Sequence, residues 1–219
     1  MAKKEPATVA KTAEIVREYG PFPHGEHVRG VTFDGERVWF AAGDRIQSFD
    51  VERGVPGAHF TVAAEAGTAF DGRNFFQIAG DRIQKIDAKT GEVLGTIPTP
   101  SPAGQNSGLT WADRTLWVGQ LKSRSLVQID AETGRVLKTI ASTRFVTGVT
   151  FVDGELWHGT WEDDKSDLRH VDPETGTVLE RLDMPEGTYV SGLESNGDDL
   201  FFCGGGPTGK IRAVKKPRR

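Results

Sequence analysis

A chain of 219 residues, 37% hydrophobic and 26% charged, can bury a sizeable core beneath a solvated surface. No apolar run reaches the length of a membrane-spanning helix, and a net charge of −4 argues against nucleic acid as the main partner. The single cysteine, Cys203, excludes an intramolecular disulfide framework.

The chain opens MAKKEPATVAKTAE, which has charge but no apolar segment behind it. This reads as a start without a secretory leader, and with the lone cysteine it leads us to expect a cytoplasmic protein. Residues 1–10 are expected to be loose. Lys11 to Tyr19 reads as a strand detached from its unit, and its partner becomes clear only at the far end.

From Gly30 onward one phrase recurs five times. It starts at Gly30 (GVTFDGERVWF), Gly67 (GTAFDGRNFFQ), Gly108 (GLTWADRTLWV), Gly148 (GVTFVDGELWH) and Gly192 (GLESNGDDLFF), at intervals of 37, 41, 40 and 44 residues. In each copy a first strand leads to a tight turn, such as Asp34-Gly35, Asp71-Gly72, Asp153-Gly154 or Asn196-Gly197. A second strand carries an aromatic at a fixed position: Trp39, Phe76, Trp117, Trp157 and Phe201. A third strand ends in an Asp-x-x-Thr-Gly turn at Asp87–Gly91, Asp130–Gly134 and Asp172–Gly176, with a variant at Asp50–Gly54. A fourth strand follows.

The period is that of a four-stranded propeller blade, so the expected fold is an all-β, five-bladed β-propeller in one domain over residues 1–219. The fifth copy stops after a third strand, Lys210 to Val214. The segment Lys11 to Tyr19 is therefore expected to supply its fourth and close the ring. The basic tail, residues 215–219, is expected to be a solvated, frayed end. No stretch holds a helical apolar period.

In a propeller the ligand face carries the loops leading into the first strands and those joining second and third strands. Two positions before the leading glycines stand Val28, Glu65, Asn106, Val146 and Val190. Glu65 and Asn106 are thus neighbours at the channel mouth, flanked by Arg29 and Gln105. An Arg, a Glu and two amides converging there suit a small polar or zwitterionic ligand. Two positions after the glycines stand Thr32, Ala69, Thr110, Thr150 and Glu194. Glu194 is the lone carboxylate of that set, and a partly dry channel would raise its pKa toward acid–base use. His24, Glu26 and His27 form a possible metal cluster, but the segment is a Pro/Gly loop, and no metal or other cofactor is expected. His27 is kept as a mouth residue, and Trp161 as a rim aromatic on the longest hairpin loop. The glycine run Gly204 to Lys210 imitates a phosphate loop, yet Ile211 follows the lysine and a strand comes next, so it reads as a hairpin loop. His158 and Cys203 read as buried strand residues.

Leu109-Thr110-Trp111, then Asp153-Gly154-Glu155-Leu156-Trp157 with Val171-Asp172-Pro173-Glu174-Thr175-Gly176, resemble the plant and bacterial glutamine cyclotransferases. The likeness spans the whole repeat pattern and is closest over residues 108–185. It implies a five-bladed propeller that cyclises N-terminal glutamine to pyroglutamate with release of ammonia. That family carries an Asn-Glu-Leu-Glu stretch where this chain has Thr147-Gly148-Val149-Thr150. The family's acid before the first-blade glycine falls here at Arg29. The lost groups would supply proton transfer and part of the amine-binding charge, so Glu65 and Glu194 are the candidates to replace them. The expected protein is a monomer that binds a small polar or amino-acid-like ligand, with or without turnover. The alternative is a non-catalytic protein-interaction scaffold anchored through Trp161.

Overall fold

In the computed structural model, which describes residues 10–217, each repeat becomes an antiparallel sheet of four strands. Blade one is Val31–Phe33, Val38–Ala41, Ile46–Phe49 and Pro56–Phe60, and blade two is Thr68–Phe70, Asn74–Ala79, Arg82–Asp87 and Val93–Pro98. Blade three is Asn106–Ala112, Thr115–Gln120, Ser125–Asp130 and Val136–Ala141. Blade four is Phe145–Val152, Glu155–Glu162, Lys165–Val171 and Val178–Asp183. Blade five takes Gly192–Ser195, Leu200–Gly204 and Ile211–Lys215 from the C-terminal end and Ile15–Tyr19 from the N-terminal end.

The turns form as their residues dictate. Asp50, Asp87, Asp130 and Asp172 each accept the backbone N–H groups two and three residues on. These bonds hold the carboxyls of Asp50, Asp87 and Asp172 below the ordinary range, and at Asp130 the Thr133 hydroxyl leads and the backbone bonds add to it. Gly54, Gly91, Gly134 and Gly176 then turn the chain at φ between 70° and 75°, a region open to glycine.

The five leading glycines form the inner ring. A Cβ on Gly30, Gly67, Gly108, Gly148 or Gly192 would lie under 3.0 Å from atoms of the next blade's first strand, and Gly192 meets blade one. The inner strands pack backbone to backbone, which closes the ring at five. Five apolar clusters fill the spaces between successive blades. The second-strand aromatics are all buried. The blade-five position needs correcting. Trp39, Phe76, Trp117 and Trp157 pair with Thr32, Ala69, Thr110 and Thr150, whereas Glu194 pairs with Phe202. The turn at 196–200 is one residue longer than its counterparts, so the register slips and Phe201 faces the other neighbour, against Trp157 at 5.0 Å.

The N-terminal strand closes the ring as expected: Ile15–Tyr19 runs antiparallel to Ile211–Lys215. Glu18 pairs with Lys210 and Arg212, and the Tyr19 hydroxyl donates to Val51 O on blade one at 3.0 Å. The expected single strand from Lys11 is in fact two. Ala10–Thr12 pairs in parallel with Arg181–Asp183 on blade four, and the chain crosses to blade five at Ala13-Glu14. Of the segment expected to be loose, Ala10 is thus in a strand, and residues 1–9 lie outside the described residues. At the other end Lys215 belongs to the last strand and buried Lys216 pairs with Asp153 at 2.7 Å, so neither is frayed. Arg218 and Arg219 lie outside the described residues.

Candidate functional site

Where the first strands begin, a cavity of about 460 Å³ opens on the axis. Antiparallel bridges Gly43↔Ala64 and Val28↔Gly206 tie hairpin loops to the leading segments of the next blade and so build its wall. The residues just before the leading glycines all line it, one from each blade: Arg29, Ala66, Ser107, Thr147 and Ser191. Three are hydroxyls, one is a cation, and none is a carboxylate.

This ring follows a bonding rule. The side chain of one blade donates to a backbone carbonyl at the start of the next: Arg29 Nη1 to Glu65 O at 3.2 Å, Ser107 Oγ to Val146 O at 2.7 Å, and Ser191 Oγ to Val28 O at 2.5 Å. Gly119, Gly159 and Gly204 on the second strands make room, since a Cβ at each would meet the hydroxyl of Ser107, Thr147 or Ser191 within 2.9 Å. Ala66 has nothing to donate. Thr147 is the exception: its buried hydroxyl has no hydrogen-bond partner.

The structure brings four of the expected ligand residues together. His27, Arg29, Glu65 and Asn106 all line the cavity. Asn106 is already committed, however. Its amide donates to Ser101 O and Pro102 O and its oxygen accepts from Gln120 Nε2, which pins the loop before blade three. Glu65 stays exposed and accepts the Gly80 N–H at 3.2 Å. Gln105 is left outside the lining. Trp161 also lies outside it and packs against Tyr189 at 5.7 Å, so it backs a wall residue. Tyr189, which the repeat did not single out, supplies the aromatic face. Burial raises its hydroxyl pKa, against the opposing field of Arg29.

Glu194 is not in this cavity. Its carboxylate accepts from Thr32 Oγ1 at 3.1 Å, Ser195 N at 2.9 Å and Thr150 Oγ1. It therefore laces blade five to blades one and four, and Thr110 Oγ1 performs the same service for blade four by accepting Phe151 N. Protein envelops the carboxylate, with a small share of the residue's surface left open to the channel. Burial pushes its pKa up to about 7, against the lowering effect of those three donors. The expected raised pKa is present, but Glu65 and Glu194 do not share one pocket.

Among the described residues no three His, Cys, Asp or Glu side chains gather to hold a metal, and His24 and His27 are both exposed. Cys203 is buried, and burial pushes its thiol up to about 12. His158 is buried as expected, beside Gly159 O.

The fold superposes on the crystal structure of Myxococcus xanthus glutaminyl cyclase with a TM-score of 0.78, at 16% identity, over 95% of this chain and 97% of that one. A family model for glutamine cyclotransferase matches residues 139–204, which hold blade four and the first half of blade five. The chain thus has the five-bladed propeller fold of that enzyme and, over residues 139–204, a likeness to the glutamine cyclotransferase family. No curated protein matches its sequence. The matched segment includes Thr147, which lines the cavity, and Thr150, which bonds Glu194. The cavity floor in this propeller combines three hydroxyls, the Ala66 methyl and the Arg29 guanidinium.

Proposed function

We propose that this cyclotransferase-like propeller binds a small, polar, amino-acid-like molecule in the mouth cavity and does not cyclise it. The observation that carries this reading is the floor ring, in which five blades contribute Arg29, Ala66, Ser107, Thr147 and Ser191 to one cavity. Its volume lies toward the lower end of the ~300–1,000 Å³ typical of small-molecule sites. Arg29, Glu65 and Tyr189 offer a cation, an anion and an aromatic face on its walls.

Cyclisation with loss of ammonia needs a group that takes a proton from the attacking amine and returns one to the leaving nitrogen. The floor ring has no such group, and the titratable groups elsewhere on the lining are His27, which is exposed, Glu65 and Tyr189. Glu65 stands at the exposed edge, and Glu194 spends both oxygens on interblade bonds away from the cavity. Binding without turnover fits these positions better than catalysis.

The test has two arms. A thermal-shift screen of amino acids and their derivatives is expected to yield a hit that Glu65→Ala loses and a substitution outside the cavity, Lys138→Ala, keeps. Purified protein is expected to release no ammonia from a glutaminyl peptide above the uncatalysed rate. Release that depends on Glu65 or Glu194 would overturn the non-catalytic reading. A screen without a hit would overturn the binding one.

A further inference from the structure

We infer that the cavity recognises its ligand by a free carboxylate, seated on Arg29. This deepens the binding role proposed above and rests on it. A guanidinium carries five N–H donors, and Arg29 makes one hydrogen bond, to Glu65 O. It makes no ion pair with any carboxylate among the described residues, although Glu65 is on the same wall. An arginine that lines a cavity with most of its fork unused is a ready partner for a bidentate oxyanion.

The floor supports the same polarity. Thr147 lines the cavity, and its buried hydroxyl, beside Gly159, lacks a partner. Ser107 and Ser191 have committed their only hydroxyl protons to backbone carbonyls, so on the floor Arg29 and Thr147 hold the donors not already used. The charged and titratable groups on the lining are His27, Arg29, Glu65 and Tyr189, and Glu65 has an oxygen engaged by Gly80 N–H.

The consequence is a preference for one end of an amino acid. Arg29 lines the cavity just before the leading glycine of blade one. A guanidinium at that position repels an ammonium group and attracts a carboxylate. The ligand class is therefore a free amino acid or a similar small carboxylate, and a peptide N-terminus is disfavoured.

Calorimetric titration with paired probes tests this. One series is the standard amino acids, and the other is their C-terminal amides, which keep the amine and side chain but lack the carboxylate. At least one amino acid is expected to bind about tenfold or more tightly than its amide. Arg29→Gln should reduce that amino acid to the level of its amide, Arg29→Lys should restore part of the gap, and Thr147→Val should narrow it. Melting curves confirm that each variant is folded. Amides that bind as well as the acids, in wild type and Arg29→Gln alike, overturn the carboxylate seat and leave the cavity as a binding site. Absence of binding in both series overturns the cavity reading together with this one.

Discussion

Replacing Glu194 with glutamine should make the protein more stable at neutral and alkaline pH. The side chain keeps its shape and an acceptor oxygen for Thr150 and Ser195, its amide N–H can donate to a turned Thr32 hydroxyl, and the charge is lost. Burial raises the native carboxyl from an ordinary 4.5 to about 7. Below pH 4.5 the group is neutral in both folded and unfolded chains. As pH rises toward 7 the unfolded chain gives up its proton first, so stability falls across this window and is lowest once the folded carboxyl has ionised. At about 1.4 kcal/mol per pH unit, that loss is on the order of 3 kcal/mol, and water in the channel trims it to about 2–3. Urea unfolding of wild type and Glu194→Gln at about pH 5 and about pH 8 measures it. The two proteins should be similar at the lower pH, and the variant more stable by roughly 2 kcal/mol at the higher. Groups that titrate equally in both cancel in the difference. A difference that stays constant across this range, or grows toward acid, would refute the burial argument.

Deletion through Thr12 removes only the strand that covers the edge of blade four and should lower the melting temperature by about 2–4 °C. Deletion through Tyr19 opens the ring and should cause aggregation or loss of cooperative unfolding. Equal melting of the two truncations would disprove the strand-exchange closure. Gly108→Ala places a Cβ 2.6 Å from Val149 N and should destabilise by about 1–3 kcal/mol, whereas Gly95→Ala enters open space and should change stability by less than about 0.5. Denaturant midpoints of the pair decide whether the inner ring is as tight as described. Asp167 is buried where Arg169, Arg144 and Thr160 converge on it, and their bonds overcome the upward push of burial to hold its pKa low. Asp167→Ala leaves buried positive charge behind and should cost about 3–5 kcal/mol, read by the same unfolding curves.

The architecture was legible because it is written in local chemistry repeated about every forty residues. Asp34-Gly35 can only turn sharply, Asp130 to Gly134 carries its own backbone acceptors and its own positive φ, and alternation within a strand shows which residues share a face. The truncated fifth repeat and the orphan strand at the N-terminus together implied a closed ring. The sequence alone thus determined the blade count, the turns and the closure, and it placed Arg29, Glu65 and Asn106 at the mouth. It also held a clue to the floor that went unread. Ser107, Thr147 and Ser191 precede leading glycines, and Gly119, Gly159 and Gly204 later in the same repeats are the small partners their hydroxyls need. What only the tertiary structure decided is what depends on neighbours far apart in the chain. The extra residue in the blade-five turn moved Phe202 into the place expected of Phe201, because register is set by pairing across the sheet. The amide of Asn106 was spent on its own loop, and Glu194 on threonines of two other blades. Strand alternation gives a side chain's face but not its height along the axis. Only closure of the ring set Arg29 and Thr147 around one cavity and left Glu194 outside it.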